Sequence, residues 1–389
     1  MRILHVIADL ERERGGPAHV AVELAELMAR RGHRATIVTT DRGLPPELRG
    51  GATRGGAVVE AYPIDRPRFW GTSWALRRRL AELVPESDIV HLHSLYLFHD
   101  WAAGACCRRF GVPYILRPHG TLDPFLHRRH RWRKKLLEKL FQDEVQRRAA
   151  GMHYTTEQER LLAAPYALNP RSWVVPIGVD LGAFDAMPPS RALRERYPAI
   201  GDRKIVLFFG RLNFKKGLDV TIKAFAALAR ERDDLFLVLA GPDGGMQPQA
   251  ERWVAEAGLG DRALFTGMVS GEAKRAVLAG SDIFLLPSQS ENFGLSVIEA
   301  AAAALPVVIS DRVNLCRDIA AANAGLVGPP TVEAFAGHLR FLLDNPAAAA
   351  AMGRRGAALA RDHYTWDALG ERYEVMYREA AAMQERRAA

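Results

Sequence analysis

Three cysteines in 389 residues, Cys106, Cys107 and Cys316, are too few and too poorly spaced for a disulfide framework or a zinc site. No stretch approaches the roughly 18 uncharged apolar residues that a membrane span requires. The opening Met1-Arg-Ile-Leu-His-Val-Ile-Ala runs straight into an apolar segment without a signal-peptide cleavage pattern. A Gly-x4-Gly-Lys-Ser/Thr order is missing, which excludes a P-loop. Gly15-Gly16 lacks the remainder of a Gly-x-Gly-x-x-Gly turn. Ile37-Val38-Thr39-Thr40 ends in hydroxyls where a dinucleotide fold carries its ribose-binding carboxylate, so a dehydrogenase is disfavoured. Asp-x-Asp occurs nowhere. These absences predict a soluble, cytoplasmic chain with buried, reduced thiols.

What is present is the composition of an ordinary folded protein, 48% hydrophobic and 25% charged, long enough for two or three domains. The charge is unevenly placed. Residues 1–180 hold 28 Lys or Arg against 20 Asp or Glu, whereas the remainder holds 25 of each. Within the basic half, 127–148 (HRRHRWRKKLLEKLFQDEVQRR) has nine basic and three acidic residues. So local an excess points to an anionic partner.

Strand-like apolar runs alternate with helical patterns, the signature of parallel α/β domains. The first series is 2–8, 35–40, 58–62, 88–93, 113–117, 152–154 and 173–175. A helix to Arg30 carries Val20, Leu24, Leu27 and Met28 on one face. The pattern restarts with 204–209, 235–240, 282–286, 306–310 and 325–327. The Pro-, Arg- and Gly-rich 181–202 carries no strand signal and is expected to be the linker. This predicts two doubly wound domains, 1–180 and 203–363. A final helix over 364–389 has Trp366, Leu369, Tyr373 and Tyr377 on one stripe, as a core helix requires.

Four constellations carry chemistry. In Glu291-Asn292-Phe293-Gly294-Leu295-Ser-Val-Ile-Glu299, two carboxylates flank a strand-to-helix turn, about 12 Å apart if fully helical. Gly294 lets backbone amides at a helix start approach a phosphate. Alone, two such glutamates also fit a solvated helix face. In Phe209-Gly210-Arg211-Leu-Asn-Phe-Lys-Lys216-Gly217, a guanidinium and an ammonium sit at a strand end, able to neutralise a diphosphate as it leaves, or simply to be a solvated turn. Gly15-Gly16 is a glycine turn after the first strand. Arg117-Pro-His119-Gly-Thr121 puts a histidine at a strand's C-terminal edge, within reach of a sugar hydroxyl, though an isolated histidine also fits a purely structural role. His91 and His93 share one strand face and read as packing, since no third metal ligand is evident.

Together with DIVHLHS, with VVPIGVD at 174–180 and with the closing YTWDALGERY, these motifs resemble retaining glycosyltransferase family four over nearly the whole chain. The resemblance implies a GT-B fold, two Rossmann-like domains facing a cleft, with the last helix crossing back to the first domain. It further implies an acceptor-binding first domain and a nucleotide-sugar-binding second. By the family pattern Glu299 holds the ribose hydroxyls, and the segment of Asn292 and the amides of Phe293, Gly294 and Leu295 meets the diphosphate and sugar. Arg211 and Lys216, after Gly210, neutralise the leaving diphosphate. Glu291 grips donor-sugar hydroxyls, His119 contacts the sugar from the first domain, and Gly16 closes over it. The base meets backbone near Gly267–Val269. The lack of Asp-x-Asp implies that no metal and no other cofactor is used, fixed cations serving instead. Where many relatives have a glycine pair and Pro-Glu, this chain reads SDRVNLCRDIA at 310–320.

The expectation is therefore a metal-independent, retaining transferase acting on a glycan or lipid-linked glycan, in surface polysaccharide synthesis. A nucleotide-sugar epimerase and a non-catalytic carbohydrate- or lipid-binding scaffold are the rivals. Within 127–148, Trp132, Leu136, Leu137, Leu140, Phe141 and Val145 fall at helical spacing. The helix could pack into the domain or lie on an anionic membrane, which would place the protein on the inner face of the plasma membrane. Nucleic acid is not expected as a partner.

Overall fold

Runs of β-branched and aromatic residues form strands buried on both faces, as parallel sheets demand. The computed structural model describes residues 1–11, 16–128 and 131–388. Among these, the strands form two wholly parallel sheets. The first has the order β3-β2-β1-β4-β5-β6-β7, from β1 (Arg2–Val6), β2 (Arg34–Thr40), β3 (Val58–Tyr62), β4 (Ile89–His93), β5 (Tyr114–Arg117), β6 (Gly151–Tyr154) and β7 (Ser172–Val174). The second has the order β10-β9-β8-β11-β12-β13, from β8 (Lys204–Phe209), β9 (Leu235–Ala240), β10 (Ala263–Gly267), β11 (Ile283–Leu286), β12 (Val307–Ser310) and β13 (Gly325–Gly328). Each contains the 3-2-1-4-5-6 winding of a Rossmann sheet. Each therefore has a topological switch point, between β1 and β4 and between β8 and β11.

Two compact units result, Met1–Ile177 with Trp366–Ala389, and Gly178–Thr365. Residues 181–202, expected as linker, fall within the second unit. There Arg191–Arg196 forms a helix whose Leu193 is fully buried, and Arg194 bonds the carbonyls of Gly201, Arg203 and Gly280. The strand β10 had no sequence signal. It is an edge strand, and all five of its residues stay half-exposed, so no unbroken apolar run marks it.

The final helix, Trp366–Ala388, belongs to the first unit. Its stripe of Trp366, Leu369, Tyr373 and Tyr377 is buried. Glu374 accepts from Arg31 Nε at 2.9 Å, and Glu379 accepts from Trp173 Nε1 at 2.7 Å. What the helix covers is unusual. Along β1, β4, β5 and β6, Leu4, Val6, Val90, Leu92, Leu116 and Met152 face an apolar core. The alternate residues His5, His91, His93, Arg117 and His153 face the other way, all fully buried.

The basic segment departs from its expected single stripe. Its helix is interrupted by a π-turn over Glu138–Gln142 between Arg131–Leu137 and Asp143–Arg148. The wider turn shifts the phase of the face that follows. Phe141 and Val145 are buried, whereas Trp132, Leu136 and Leu140 are 67%, 53% and 67% exposed.

Candidate functional site

At the second sheet's switch point, β8 and β11 run into loops that lock together. The Lys215 carbonyl accepts from Gln289 N–H at 2.7 Å. Gly217, at φ 68°, packs so closely that a Cβ there would collide with the Pro287 carbonyl. This contact sets Lys216, on the single 3-10 turn Phe214–Lys216, against Glu291, and the two form an ion pair. Lys216 Nζ also lies over Gly210, 3.8 Å from where a Cβ would stand. Glu291 is fixed through its backbone, its N–H donating to Arg312 O at 3.1 Å and its carbonyl accepting from Asn314 N–H at 3.0 Å. Burial pushes the Glu291 carboxyl up. The charges of Lys216 and Lys215 and the Lys216 hydrogen bond outweigh it, and the group ends below the ordinary glutamate range.

The chain then turns at Gly294, φ 90°, into the helix Leu295–Ala302, whose start has no side-chain cap. First-turn amides left open in this way favour an anion. Phe293 is buried edge-on against Tyr364, with ring centroids 5.8 Å apart. The Asn292 Oδ1 and Ser288 Oγ atoms are buried without hydrogen-bond partners. One turn along the helix, Glu299 pairs with Lys274 at 2.8 Å. Arg211 makes no ion pair among the described residues; its stem lies on Gly244, where a Cβ would meet Arg211 Cγ at 2.7 Å. Gly267 ends β10 and Val269 follows it, and Gly267 O accepts from Gly241 N–H at 2.9 Å.

The structure thus brings Lys216 to Glu291 and seats Arg211 at the end of the same strand. Sequence reasoning missed Lys274, Lys215 and the Gly241–Gly245 loop. The signal for the loop was there, in Gly-Pro-Asp-Gly-Gly following the apolar run of β9. Lys274, on an unremarkable helix, had none.

In the first unit His119 follows β5 with φ 50°, a strained conformation for a non-glycine residue. It is hydrogen-bonded to His93, Nε2 to Nδ1 at 3.1 Å. Gly16, exposed, opens the helix Gly16–Arg30, and Gly15 lies outside the described residues. The expectation that His91 and His93 have no third potential metal ligand beside them is corrected. His5, opposite His91 in register, brings a ring nitrogen within 4.8 Å of theirs. His5 bonds to His93, whereas His91 bonds to His153 and to Tyr377. The Arg117 guanidinium lies among them, buried and without a hydrogen-bond partner. Burial first, and then the Arg117 charge, lowers His5 to about 3. Such a group is a neutral hydrogen-bonded network, and the fixed cation in it opposes a metal ion.

Known proteins resemble this chain in both units. The family described as Glycosyltransferase Family 4 matches residues 14–183, and Glycosyl transferases group 1 matches 190–358. The 2-deoxystreptamine glucosyltransferase of Streptomyces kanamyceticus is 32% identical over 300 residues, 72% of this chain and 74% of that protein. The GDP-mannose:cellobiosyl-diphosphopolyprenol alpha-mannosyltransferase of Xanthomonas oryzae pv. oryzae is 26% identical over 98% of this chain and 97% of its own. The match to the alpha-D-kanosaminyltransferase of S. kanamyceticus, 34% identical, spans 48% of either chain. Among solved structures, sucrose-phosphate synthase from Thermosynechococcus elongatus superposes with a TM-score of 0.77 at 21% identity, over 98% of this chain and 100% of that one. The fold is GT-B.

Proposed function

We propose, for a chain that belongs to glycosyltransferase family 4, that it moves one sugar from a nucleotide diphosphate sugar to a glycan or lipid-linked glycan acceptor. In this reading transfer retains the anomeric configuration and needs no metal. The observation that carries it is the Lys216–Glu291 pair at a switch point where ligands of such sheets bind, with Arg211 unpaired at the end of the same strand.

As the bond between sugar and diphosphate breaks, negative charge grows on the leaving phosphate. Lys216, Arg211 and the open amides at Phe293, Gly294 and Leu295 are fixed donors for that charge. They do the electrostatic work that a divalent ion held by Asp-x-Asp does elsewhere. Glu291, kept ionised by its lysine neighbours, accepts from donor-sugar hydroxyls. Glu299, oriented by Lys274, accepts from the ribose hydroxyls. His119 serves a sugar hydroxyl. Neither glutamate is a covalent nucleophile. The departing phosphate takes the acceptor's proton on the face it leaves, and retention follows.

The Xanthomonas relative is named for a polyprenol-linked acceptor. An acceptor of that kind suits a protein working at the inner face of the plasma membrane in surface polysaccharide synthesis. The exposed Trp132, Leu136 and Leu140, set among arginines and lysines, suit the anionic surface there.

The test is a thermal-shift panel of UDP-, GDP-, ADP- and dTDP-sugars on wild type and Glu299→Ala. A donor at 100 times its Kd adds about 2.7 kcal/mol. One nucleotide class is expected to stabilise wild type and not the variant; no shift with any donor sinks the reading. With that donor, transfer is expected to continue in EDTA and to give a product of unchanged anomeric configuration by NMR.

A further inference from the structure

The buried polar face of the first sheet contains two histidine chains. In one, His153 Nε2 meets the Val175 carbonyl at 2.9 Å, a partner that only accepts. His153 Nε2 therefore carries the proton, its Nδ1 accepts from His91 Nε2 at 3.2 Å, and His91 Nδ1 accepts from the Tyr377 hydroxyl at 2.9 Å. One carbonyl orders every proton in that chain.

The other chain runs from His5 Nδ1 to His93 Nε2 at 3.2 Å, and from His93 Nδ1 to His119 Nε2 at 3.1 Å. Its inner end, His5 Nε2, is buried without a partner. A neutral imidazole has one donor and one acceptor, so the protons in the chain must all point one way. If they point inward, His5 Nε2 is an orphaned buried N–H, the rarer and costlier defect. If they point outward, the orphan is a lone pair. The buried Arg117 guanidinium, on the residue opposite His93 in the β4–β5 ladder, favours a lone pair over a second N–H and opposes an added proton on the chain.

We propose that His93 and His5 are positioning residues that hold His119 as its Nδ1–H tautomer, so that its outer nitrogen is a permanent donor to a sugar oxygen. The ligand part of this statement rests on the transferase reading; the tautomer does not. His5 Nδ1–H donates to His93 Nε2, and His93 Nδ1–H donates to His119 Nε2. Only Nδ1 of His119 is left over, and it bears the proton. The strained φ of His119 is the backbone's part in the same arrangement.

The experiment is 15N–1H long-range NMR of histidine-labelled full-length protein, with His119 assigned by its loss in His119→Asn. Wild type is expected to show His119 protonated at Nδ1. His5→Asn, whose amide can still donate from the position of Nδ1, is expected to leave it there. In His5→Asp, which only accepts, the proton is expected on Nε2. Should that variant not fold, His93→Leu frees His119 Nε2, and the Nδ1–H signal is expected to disappear. Wild-type protonation at Nε2, or an unmoved signal in a folded His5→Asp or His93→Leu, overturns the proposal whatever the enzyme does. Kinetics then test the ligand part. His5→Asp is expected to slow transfer about fivefold, the worth of one hydrogen bond, and to add nothing in a His119→Asn background. There an amide donates regardless of tautomer. Normal NMR with no such coupling would leave the tautomer standing and remove His119 from the sugar.

Discussion

Lys216 and Glu291 are 75 positions apart, and each depends on the other. Removing the ammonium leaves a half-buried carboxylate without its partner and takes a fixed cation from the leaving diphosphate. Lys216→Met is expected to lower kcat about 10²- to 10³-fold, comparable to losing one charge-stabilising donor. It should also bring the Glu291 pKa up, since the Lys216 charge does most to hold it down. A steady-state assay and a pH–rate profile check both. Single residues were legible where motifs named them. Glu291, Arg211 and Lys216 could be singled out in their loops and Glu299 in its helix, but the pairing of Lys216 with Glu291 could not, because it is made by loops following two strands that are adjacent only in the folded sheet. His5 stood alone in an apolar strand, and only the register beside His91 gives it meaning.

At the scale of elements, strand identity followed from unbroken apolar runs, and the misses have particular causes. Strand β10 is an edge strand with polar and half-exposed positions. The π-turn at Glu138–Gln142 breaks a helical period that looks continuous in sequence, turning one expected stripe into a buried part and an exposed part. The exposed part makes a prediction. Vesicles with anionic lipid are expected to float with the wild-type protein and much less with Trp132→Ser, Leu136→Ser and Leu140→Ser combined. Added salt should weaken binding, since each basic residue near the lipid contributes about 1 kcal/mol through charge. Equal flotation by the triple variant would assign the patch another role. A second prediction concerns the last helix. Tyr377→Phe removes only the hydroxyl that serves His91 Nδ1 at 2.9 Å. The stranded acceptor is expected to cost about 1–3 kcal/mol, measurable by denaturant unfolding.

For the whole molecule, the two-sheet plan was legible because the strand–helix alternation restarts after residue 202, whereas the winding order needed the structure. The polar face of the first sheet sets the acid limit of stability. Burial lowers His5 to about 3 and His99 to about 4, and drives His91, His93, His119 and His153 well below the ordinary value. These groups stay neutral when folded and bind protons when unfolded below about 6.5, so stability is full above that pH and falls as pH drops. At pH 5 His5 and His99 each cost about 2 kcal/mol, and the other four act in the same direction. Asp100, pushed up to about 8 by burial, works in the opposite sense and offsets about one of them. A steep fall in Tm between pH 6.5 and 5 is therefore expected, recorded by calorimetry across that range; a flat profile would contradict neutral burial.

The first unit is made of two pieces of chain, with residues 178–365 emerging from the ribosome between them. Synthesis at ordinary rates separates Ile177 from Trp366 by about 10–40 s. Throughout that interval the sheet bearing His5, His91, His93, Arg117 and His153 lacks its closing helix, while the second unit has all of its own sequence once Thr365 is out. Order of birth is thus the reverse of order of completion. The half made first is finished last, and a message cut short anywhere before the final helix yields no finished first unit.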